Sequence, residues 1–117
     1  MMNRLAEVID AHTWDELPEL LHDDFICRYA HTGEVFDRES WVWLNADYPG
    51  FDRLVLEDCI GNEARAAGRS HVTGHADDKL SHFEVATFIT LRAGRIVEMT
   101  EVWTDVDEEA PPGTRPT

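Results

Sequence analysis

The densest collection of metal-ligating side chains in the sequence lies between residues 71 and 82. It holds His71, His75 and His82 together with Asp77 and Asp78. On an extended strand the α-carbons of His71 and His75 would lie about 13 Å apart, and a turn over residues 74–78 should face water. His71 and His82 can be neighbours across a hairpin, but the spacing matches no established zinc motif. The sequence therefore predicts no metal site.

A second group of reactive side chains lies on a short strand predicted over residues 25–29. Alternation along a continued strand would send Cys27, Tyr29 and His31 to one face. A phenol and an imidazole on the same face could polarise a carbonyl group and move a proton. Gly33 also allows His31 to be a solvated loop residue, with Tyr29 as a half-buried wall residue, and both interpretations stay open.

Several classes of function are disfavoured. The chain has no glycine-rich phosphate loop and no nucleophile elbow, so no cofactor is expected. The 24 acidic and 10 basic residues give a net charge of −14, which repels nucleic acids and anionic membranes. No apolar run has the length of a membrane span, and we expect a cytoplasmic protein. Cys27 and Cys59 are predicted to be buried, reduced thiols.

The elements that must position these side chains are helices first and strands later. Helices are predicted over residues 3–11, from a capping box at Thr13 and Glu16 through Leu21, and over residues 38–46 after the cap Asp37. Pro18 must lie in the first turn of the second helix or distort it. Extended runs follow at 53–60, 63–73, 80–91 and 95–104, which indicates an α+β fold with a curved antiparallel sheet.

Alternation along the last strand divides its side chains between two faces. Val97, Met99, Glu101 and Trp103 share one face, and Ile96 lies on the other. Trp41 and Trp43 are about 200° apart around a helix, so only one can point inward. The opposite face of the meander is mixed with an apolar centre, which favours a two-fold homodimer. Its residues are Arg65, Ala67, Arg69, His82, Glu84, Ala86, Phe88, Ile96 and Val102.

Two segments carry a resemblance to a known family. The run GRIVEMTEVWTD at residues 94–105 resembles the last strand of nuclear transport factor 2-like proteins, and WDELPELLHDDF at 14–25 resembles their second helix and acidic turn. The resemblance implies an α+β cone, with a curved, mainly antiparallel sheet wrapped on three N-terminal helices. It implies one SnoaL-like domain over residues 1–105, with an apolar pocket and a homodimer through the convex face. The polar, proline-rich tail 106–117 is expected to be disordered.

The same resemblance indicates one candidate catalytic residue. Glu101 takes the position of the acid–base aspartate of SnoaL-like polyketide cyclases, although Met99 and Thr100 replace the His and Trp of that motif. The resemblance places Glu101 inside, where burial should raise its pKa. The positions that serve ketosteroid isomerases hold Leu5, Thr87 and Tyr29. Leucine cannot donate a proton, threonine is a far weaker acid than a protonated carboxyl group, and tyrosine is neutral at pH 7, so steroid isomerisation is disfavoured.

The predicted function is acid–base proton transfer on a small apolar substrate, as an isomerase, cyclase or lyase. Glu101, Tyr29 and His31 are its catalytic candidates. The alternative is a non-catalytic module that binds a small apolar ligand or acts as a dimeric interaction domain. The predicted pocket lining is Trp14, Cys27, Trp41, Val85, Thr87, Val97, Met99 and Trp103.

Overall fold

The computed structural model of the protein describes residues 1–116, which form three helices and a six-stranded sheet. The strands lie across the sheet in the order β2-β1-β6-β5-β4-β3. The elements along the chain are α1 (Met2–Asp10), α2 (Leu17–Leu20), β1 (Leu21–Tyr29), β2 (Val35–Asp37), α3 (Arg38–Ala46), β3 (Phe51–Gly61), β4 (Arg65–Ala76), β5 (Lys79–Arg92) and β6 (Arg95–Asp105).

The sheet is curved, unclosed and mixed. Strands β3 to β6 form an antiparallel meander, as the sequence predicts. Strand β1 pairs in parallel with β6 and antiparallel with β2, so the chain returns from the helical region to the far side of the last strand. The predicted α+β cone of the nuclear transport factor 2-like type is confirmed.

The helices cover one face of this sheet through the apolar positions that the sequence indicates. Leu5, Val8 and Ile9 of α1 are all buried. A Cβ atom at Gly68 of β4 would lie only 2.9 Å from Met2 Cγ, so the missing side chain at Gly68 lets α1 approach the strand closely. Of the two tryptophans on α3, Trp41 is 1% exposed and Trp43 is 65% exposed, as the helical spacing requires.

The second helix and first strand differ from the sequence prediction. Helix α2 begins at Leu17 without a side-chain cap, and the Thr13 hydroxyl instead donates to the Val8 carbonyl at 3.2 Å. The predicted capping box is therefore wrong, although Pro18 does lie in the first turn. Strand β1 begins at Leu21, and β2, which the sequence did not reveal, pairs with it after the turn containing Gly33.

A β-bulge corrects the predicted faces at the start of β6. Thr90 pairs with Glu98 while Leu91 pairs with Ile96, so Val97 is left without a partner in the ladder. The bulge breaks the alternation, and Ile96, predicted on the outer face, is completely buried in the core. Val97 is buried but lies outside the main core cluster.

The prediction that both cysteines are buried is correct for only one of them. Cys27 is buried as expected, whereas Cys59 is exposed on β3, so the prediction for Cys59 was wrong. Residues 106–116 form turns without helix or strand, and Thr117 of the predicted tail lies outside the described residues. None of the helices in residues 1–116 is long and apolar enough to span a membrane.

The capping box of α3 offers a test of the fold. The Asp37 carboxylate accepts the Ser40 backbone N–H at 2.9 Å, and the Ser40 hydroxyl accepts the Asp37 N–H at 3.0 Å. Asp37→Ala removes the cap and should lower the melting temperature by about 4 °C, measured by circular dichroism. Asp37→Asn keeps a good cap and should stay near the wild type. Equal melting temperatures for Asp37→Ala and wild type would contradict this role.

Candidate functional site

The candidate site is a row of side chains across three neighbouring strands. Tyr29 of β1 pairs with Glu101 of β6, and Glu101 pairs with Thr87 of β5. Directly paired residues point to the same face of a sheet, so the phenol, the carboxyl group and the hydroxyl lie side by side. The face is the one covered by the helices, because Thr87 and Glu101 are each only 6% exposed.

Glu101 is a buried carboxyl group with one close hydrogen bond. The Thr87 hydroxyl Oγ1 donates to Glu101 Oε2 at 2.8 Å. Burial disfavours the charged form and raises the pKa of Glu101 to about 7, while the side chains of Thr87, Trp103 and Tyr29 hold back part of the rise. At neutral pH both protonation states are therefore populated. A group of this kind can accept or deliver a proton near pH 7.

Tyr29 is held in place by aromatic neighbours and by a tryptophan N–H. The indole Nε1 of Trp41 donates to the Tyr29 hydroxyl at 3.2 Å, and Phe36 packs edge-on against the Tyr29 ring at 4.9 Å. Burial, followed by the charge of nearby Glu101, raises the pKa of the Tyr29 hydroxyl. The phenol stays neutral at pH 7 and keeps its proton available for a hydrogen bond.

His31 lies beside this row but not within it. It sits in the exposed turn after β1, stacks on the Tyr29 ring with centroids 5.4 Å apart, and accepts the Trp103 backbone N–H at Nδ1 over 3.3 Å. The continued strand that would aim His31 at Glu101 is absent, because β1 ends at Tyr29. The structure thus places the imidazole above Tyr29, at the edge of the site.

Trp103 contributes a polar atom without a partner. Its indole Nε1 is buried and forms no hydrogen bond of ordinary geometry within residues 1–116, although the same side chain lowers the pKa of Glu101. Its ring meets Phe83 edge-on with centroids 6.4 Å apart. A buried N–H beside a carboxyl group is a ready donor for an oxygen atom of a ligand.

Part of the predicted pocket wall surrounds Glu101. Val85 pairs with Trp103, and Cys27 pairs with Met99 in the row next to Tyr29 and Glu101. Burial, then the Glu101 charge, raises the pKa of the Cys27 thiol, which excludes a thiolate at neutral pH. Trp14 instead packs near His12 and Phe51, with ring centroids 5.4 and 6.0 Å away.

Two depressions on the surface lie away from Glu101. One, of about 320 Å³, lies on the outward face of the sheet and includes Ile60, Ala67 and Phe88. The other, of about 470 Å³, lies beside α3 and includes Pro18 and Arg38. The predicted apolar pocket therefore coincides with neither of these two depressions.

Sequence reasoning missed two aromatic residues of the site. Phe83 lies two residues before Val85, so alternation from the predicted pocket wall would have placed it on the same face. Phe36 gave no such signal, because it belongs to the short strand β2. Its position depends on pairing with Cys27 across the turn, which is a tertiary contact.

The sequence matches one family model over most of its length. The model describes a SnoaL-like domain and matches residues 2–99, so the matched segment ends just before Glu101. A search of curated proteins found no match.

Solved structures with the same architecture include three of different attributed function. A protein from Kribbella flavida, provisionally named a ketosteroid isomerase, superposes with a TM-score of 0.81 at 20% identity, over 94% of this chain and 79% of that one. A protein from Jannaschia sp., provisionally named a SnoaL-like polyketide cyclase, gives 0.73 at 20% identity, over 87% and 81%. An epoxide hydrolase of Mycobacterium tuberculosis gives 0.74 at 12%, over 88% and 79%. Such low identities establish the fold alone.

The raised pKa of Glu101 predicts a specific dependence of stability on pH. A carboxyl group whose pKa rises from 4.5 to about 7 on folding stabilises the folded state below pH 4.5, and this contribution is lost as the pH rises through 7. Between pH 5 and pH 8, wild type should lose roughly 2–3 kcal/mol of unfolding free energy relative to Glu101→Gln. Urea unfolding at several pH values measures this.

The exposed carboxylate Glu98 on the same strand supplies the control. Glu98→Gln should follow the wild-type pH profile, because an exposed carboxylate has little differential interaction with its surroundings. Parallel stability curves for Glu101→Gln and wild type would show that Glu101 titrates normally in the folded protein.

Proposed function

Because the chain belongs to the SnoaL-like domain family, we propose that it is a small-molecule isomerase, cyclase or lyase in which Glu101 transfers a proton. The observation that carries the proposal is the burial of this carboxyl group, which brings its pKa to about 7 without an ion pair among residues 1–116. Burying a lone ionisable group destabilises the fold, so its presence is more typical of a functional site than of a structural one.

The proposed chemistry is enolisation of a carbonyl compound. The carbonyl oxygen would accept hydrogen bonds from Trp103 Nε1, which has no partner within residues 1–116, and from the hydroxyl of Tyr29, the cross-strand partner of Glu101. The Glu101 carboxylate removes a proton from the carbon next to the carbonyl, and the C–H electron pair moves into the enolate. The two donors stabilise the negative oxygen as it develops. The protonated Glu101 then returns the proton at another atom.

Access to Glu101 would be through the edge of the site where His31 lies. His31 is exposed and contacts both Tyr29 and the backbone of Trp103. A ligand that separates the His31 and Trp103 side chains would reach the carboxyl group without disturbing the buried core. His31 would then contact the exposed end of the ligand, while Glu101 carries the proton.

The site differs from that of a steroid isomerase in the residues named by the resemblance. Leu5 is buried in the apolar face of α1, where it has no proton to donate. Thr87 donates to Glu101 itself, so its hydroxyl orients the carboxyl group and is not free to hold an oxyanion. We therefore propose a different carbonyl substrate, one smaller than a steroid because Thr87 and Glu101 are both buried.

The buried N–H of Trp103, which has no hydrogen-bond partner within residues 1–116, also supports the alternative of a non-catalytic binding module with the same fold. Such a module would use Tyr29 and Trp103 to hold an apolar ligand that carries one oxygen atom. Affinity in that case would depend on shape and on the two donors, and the charge state of Glu101 would matter little.

We also propose that the outward face of the sheet binds a second copy of the chain. Ile60 and Phe88 are 73% and 48% exposed on this face, and both line the depression of about 320 Å³. Exposed apolar side chains around a shallow groove are typical of a self-complementary two-fold interface. Arg65 lines the same depression and reduces the repulsion expected between two chains of charge −14.

Proton transfer is tested by hydrogen exchange in D₂O. Bicyclic ketones such as 2-tetralone are incubated with the protein, and loss of the α-hydrogen signal is followed by proton NMR. The exchange rate should increase with pH through about 7, where Glu101 ionises. Glu101→Gln should lower it at least about 100-fold, while Glu98→Gln should leave it unchanged.

The same experiment separates the two functional candidates. If no ketone exchanges, and Glu101→Gln binds 2-tetralone as tightly as wild type does, the protein is a binding module. Tyr29→Phe serves as a further test, because loss of one donor to the enolate should slow exchange about tenfold or more without abolishing it.

The proposed homodimer is tested by sedimentation velocity. Wild type should sediment with the mass of two chains, and Phe88→Glu should shift the protein to monomer by placing a charge in the apolar interface. Leu80→Glu is the matched control, because Leu80 is also exposed on β5 but lies near its opposite end. A monomeric wild type, or a dimer unaffected by Phe88→Glu, would reject this interface.

A further inference from the structure

A compact group of polar side chains occupies the outward face of the sheet, opposite the side on which Glu101 lies. We call it the outer cluster, and it comprises Glu57, Arg69, His71, His82 and Glu84. These residues come from three adjacent strands, β3, β4 and β5. His71 and Glu84 are direct cross-strand partners, and His82 is paired with the residue two positions beyond His71. The backbone ladder therefore fixes the spacing of these side chains.

A β-bulge brings Glu57 into the outer cluster. The register between β3 and β4 shifts between Leu56 and Asp58, so Glu57 lies in the irregular part of the ladder. Bulges redirect a side chain that regular alternation would send elsewhere. Here one ligand atom each of Glu57, His71 and Glu84 comes within 4.8 Å of the other two. Sequence spacing within residues 71–82 gave no indication of this third residue.

Arg69 holds one oxygen of each carboxylate. Its Nη1 atom donates to Glu57 Oε1 at 2.7 Å and to Glu84 Oε1 at 2.9 Å. One guanidinium thus orients both carboxyl groups and balances one of their two negative charges. The second oxygen of Glu84, Oε2, faces His71 Nδ1 at 2.8 Å. The Glu84 oxygen that Arg69 does not hold is therefore directed toward Nδ1 of His71.

The two imidazoles are joined through their ring nitrogens. His71 Nε2 lies 2.9 Å from His82 Nδ1. When His71 Nε2 carries the proton and donates it to His82, Nδ1 of His71 is left with a free lone pair beside Glu84. Metal-bound histidines commonly donate their second ring N–H to a neighbouring acceptor, which fixes the tautomer and the ring orientation. His82 is placed to be that acceptor.

We propose that the outer cluster binds a divalent transition-metal ion, for which Zn²⁺ is the representative probe. The ligands would be Nδ1 of His71, Oε2 of Glu84 and one carboxylate oxygen of Glu57. Arg69 and His82 would orient these ligands from behind. One nitrogen and two oxygens suit a borderline ion such as Zn²⁺ better than Ca²⁺ or Mg²⁺, which prefer oxygen alone. Small side-chain rotations would bring the three atoms to coordination distance.

The site is open to exchange with solvent. The side chains of Glu57, His71 and Glu84 are 37%, 31% and 26% exposed. Three protein ligands leave coordination positions for water or for a group on another molecule. The assignment does not depend on the proposed proton transfer, because Glu101 points to the opposite face of the sheet.

The outer cluster shares the outward face with the apolar patch proposed for the dimer, but its ligand His71 lies well away from Phe88. His71 and Phe88 belong to ladder rows that are four residues apart along β4, since Phe88 pairs with Ala67. Four residues of strand correspond to about 13 Å. Zinc binding and dimerisation can therefore be measured and perturbed separately.

The test is isothermal titration calorimetry of the metal-free protein with ZnCl₂. We expect one ion per chain, with an affinity that His71→Ala and Glu57→Gln each weaken at least tenfold. Glu57→Gln is nearly isosteric and on the surface, so it keeps the test valid if His71→Ala folds poorly. His82→Ala should weaken binding by less than His71→Ala does, because His82 only orients the ligand.

The matched control is His75→Ala, which removes another histidine from the same strand. His75 contacts Asp52 outside the outer cluster, and its removal should leave zinc affinity unchanged. Absence of zinc binding by wild type would overturn the proposal. So would binding that survives both His71→Ala and Glu57→Gln, or binding that is lost in His75→Ala.

Discussion

The parallel pairing of β1 with β6 is the constraint on which the rest of the structure depends. It joins the helical first half of the chain to the antiparallel meander of the second half. The pairing of Tyr29 with Glu101 follows from its register, and a shift of one residue would turn Tyr29 to the opposite face. The covering helix α3 then adds Trp41 to the hydroxyl of Tyr29. The candidate site is thus a consequence of one strand pairing.

Burial of an unpaired carboxyl group gives this site its chemistry. The rest of the core around Glu101 is apolar or aromatic, and Thr87 supplies the only close hydrogen bond within residues 1–116. Such surroundings favour the neutral acid, which explains why the pKa rises to about 7. The two faces of the sheet therefore differ in kind. The inner face surrounds the Glu101 carboxyl group with apolar side chains. The outer face instead gathers the five charged or titratable side chains of the outer cluster, which stabilise one another.

Local sequence signals predicted the elements that depend on neighbouring residues. The apolar spacing of α1, the cap Asp37 and the four long strands were all visible, because periodicity and capping act within a few residues. The errors lie where distant residues decide the outcome. Strand β2 forms only through its pairing with β1, and the bulge at Val97 inverts the faces before Met99. A local pattern contains no information about either contact.

The sequence by itself determined the α+β cone and the placement of Glu101 on the inner face, because alternation and family resemblance both depend on the order of residues along one chain. Only the tertiary structure decided that Thr87 bonds to Glu101, that His31 lies at the edge of the site, and that Glu57 joins His71 and Glu84. These contacts depend on strand register, on a bulge and on how the helices cover the sheet. Each of those is set by the packing of residues far apart in sequence.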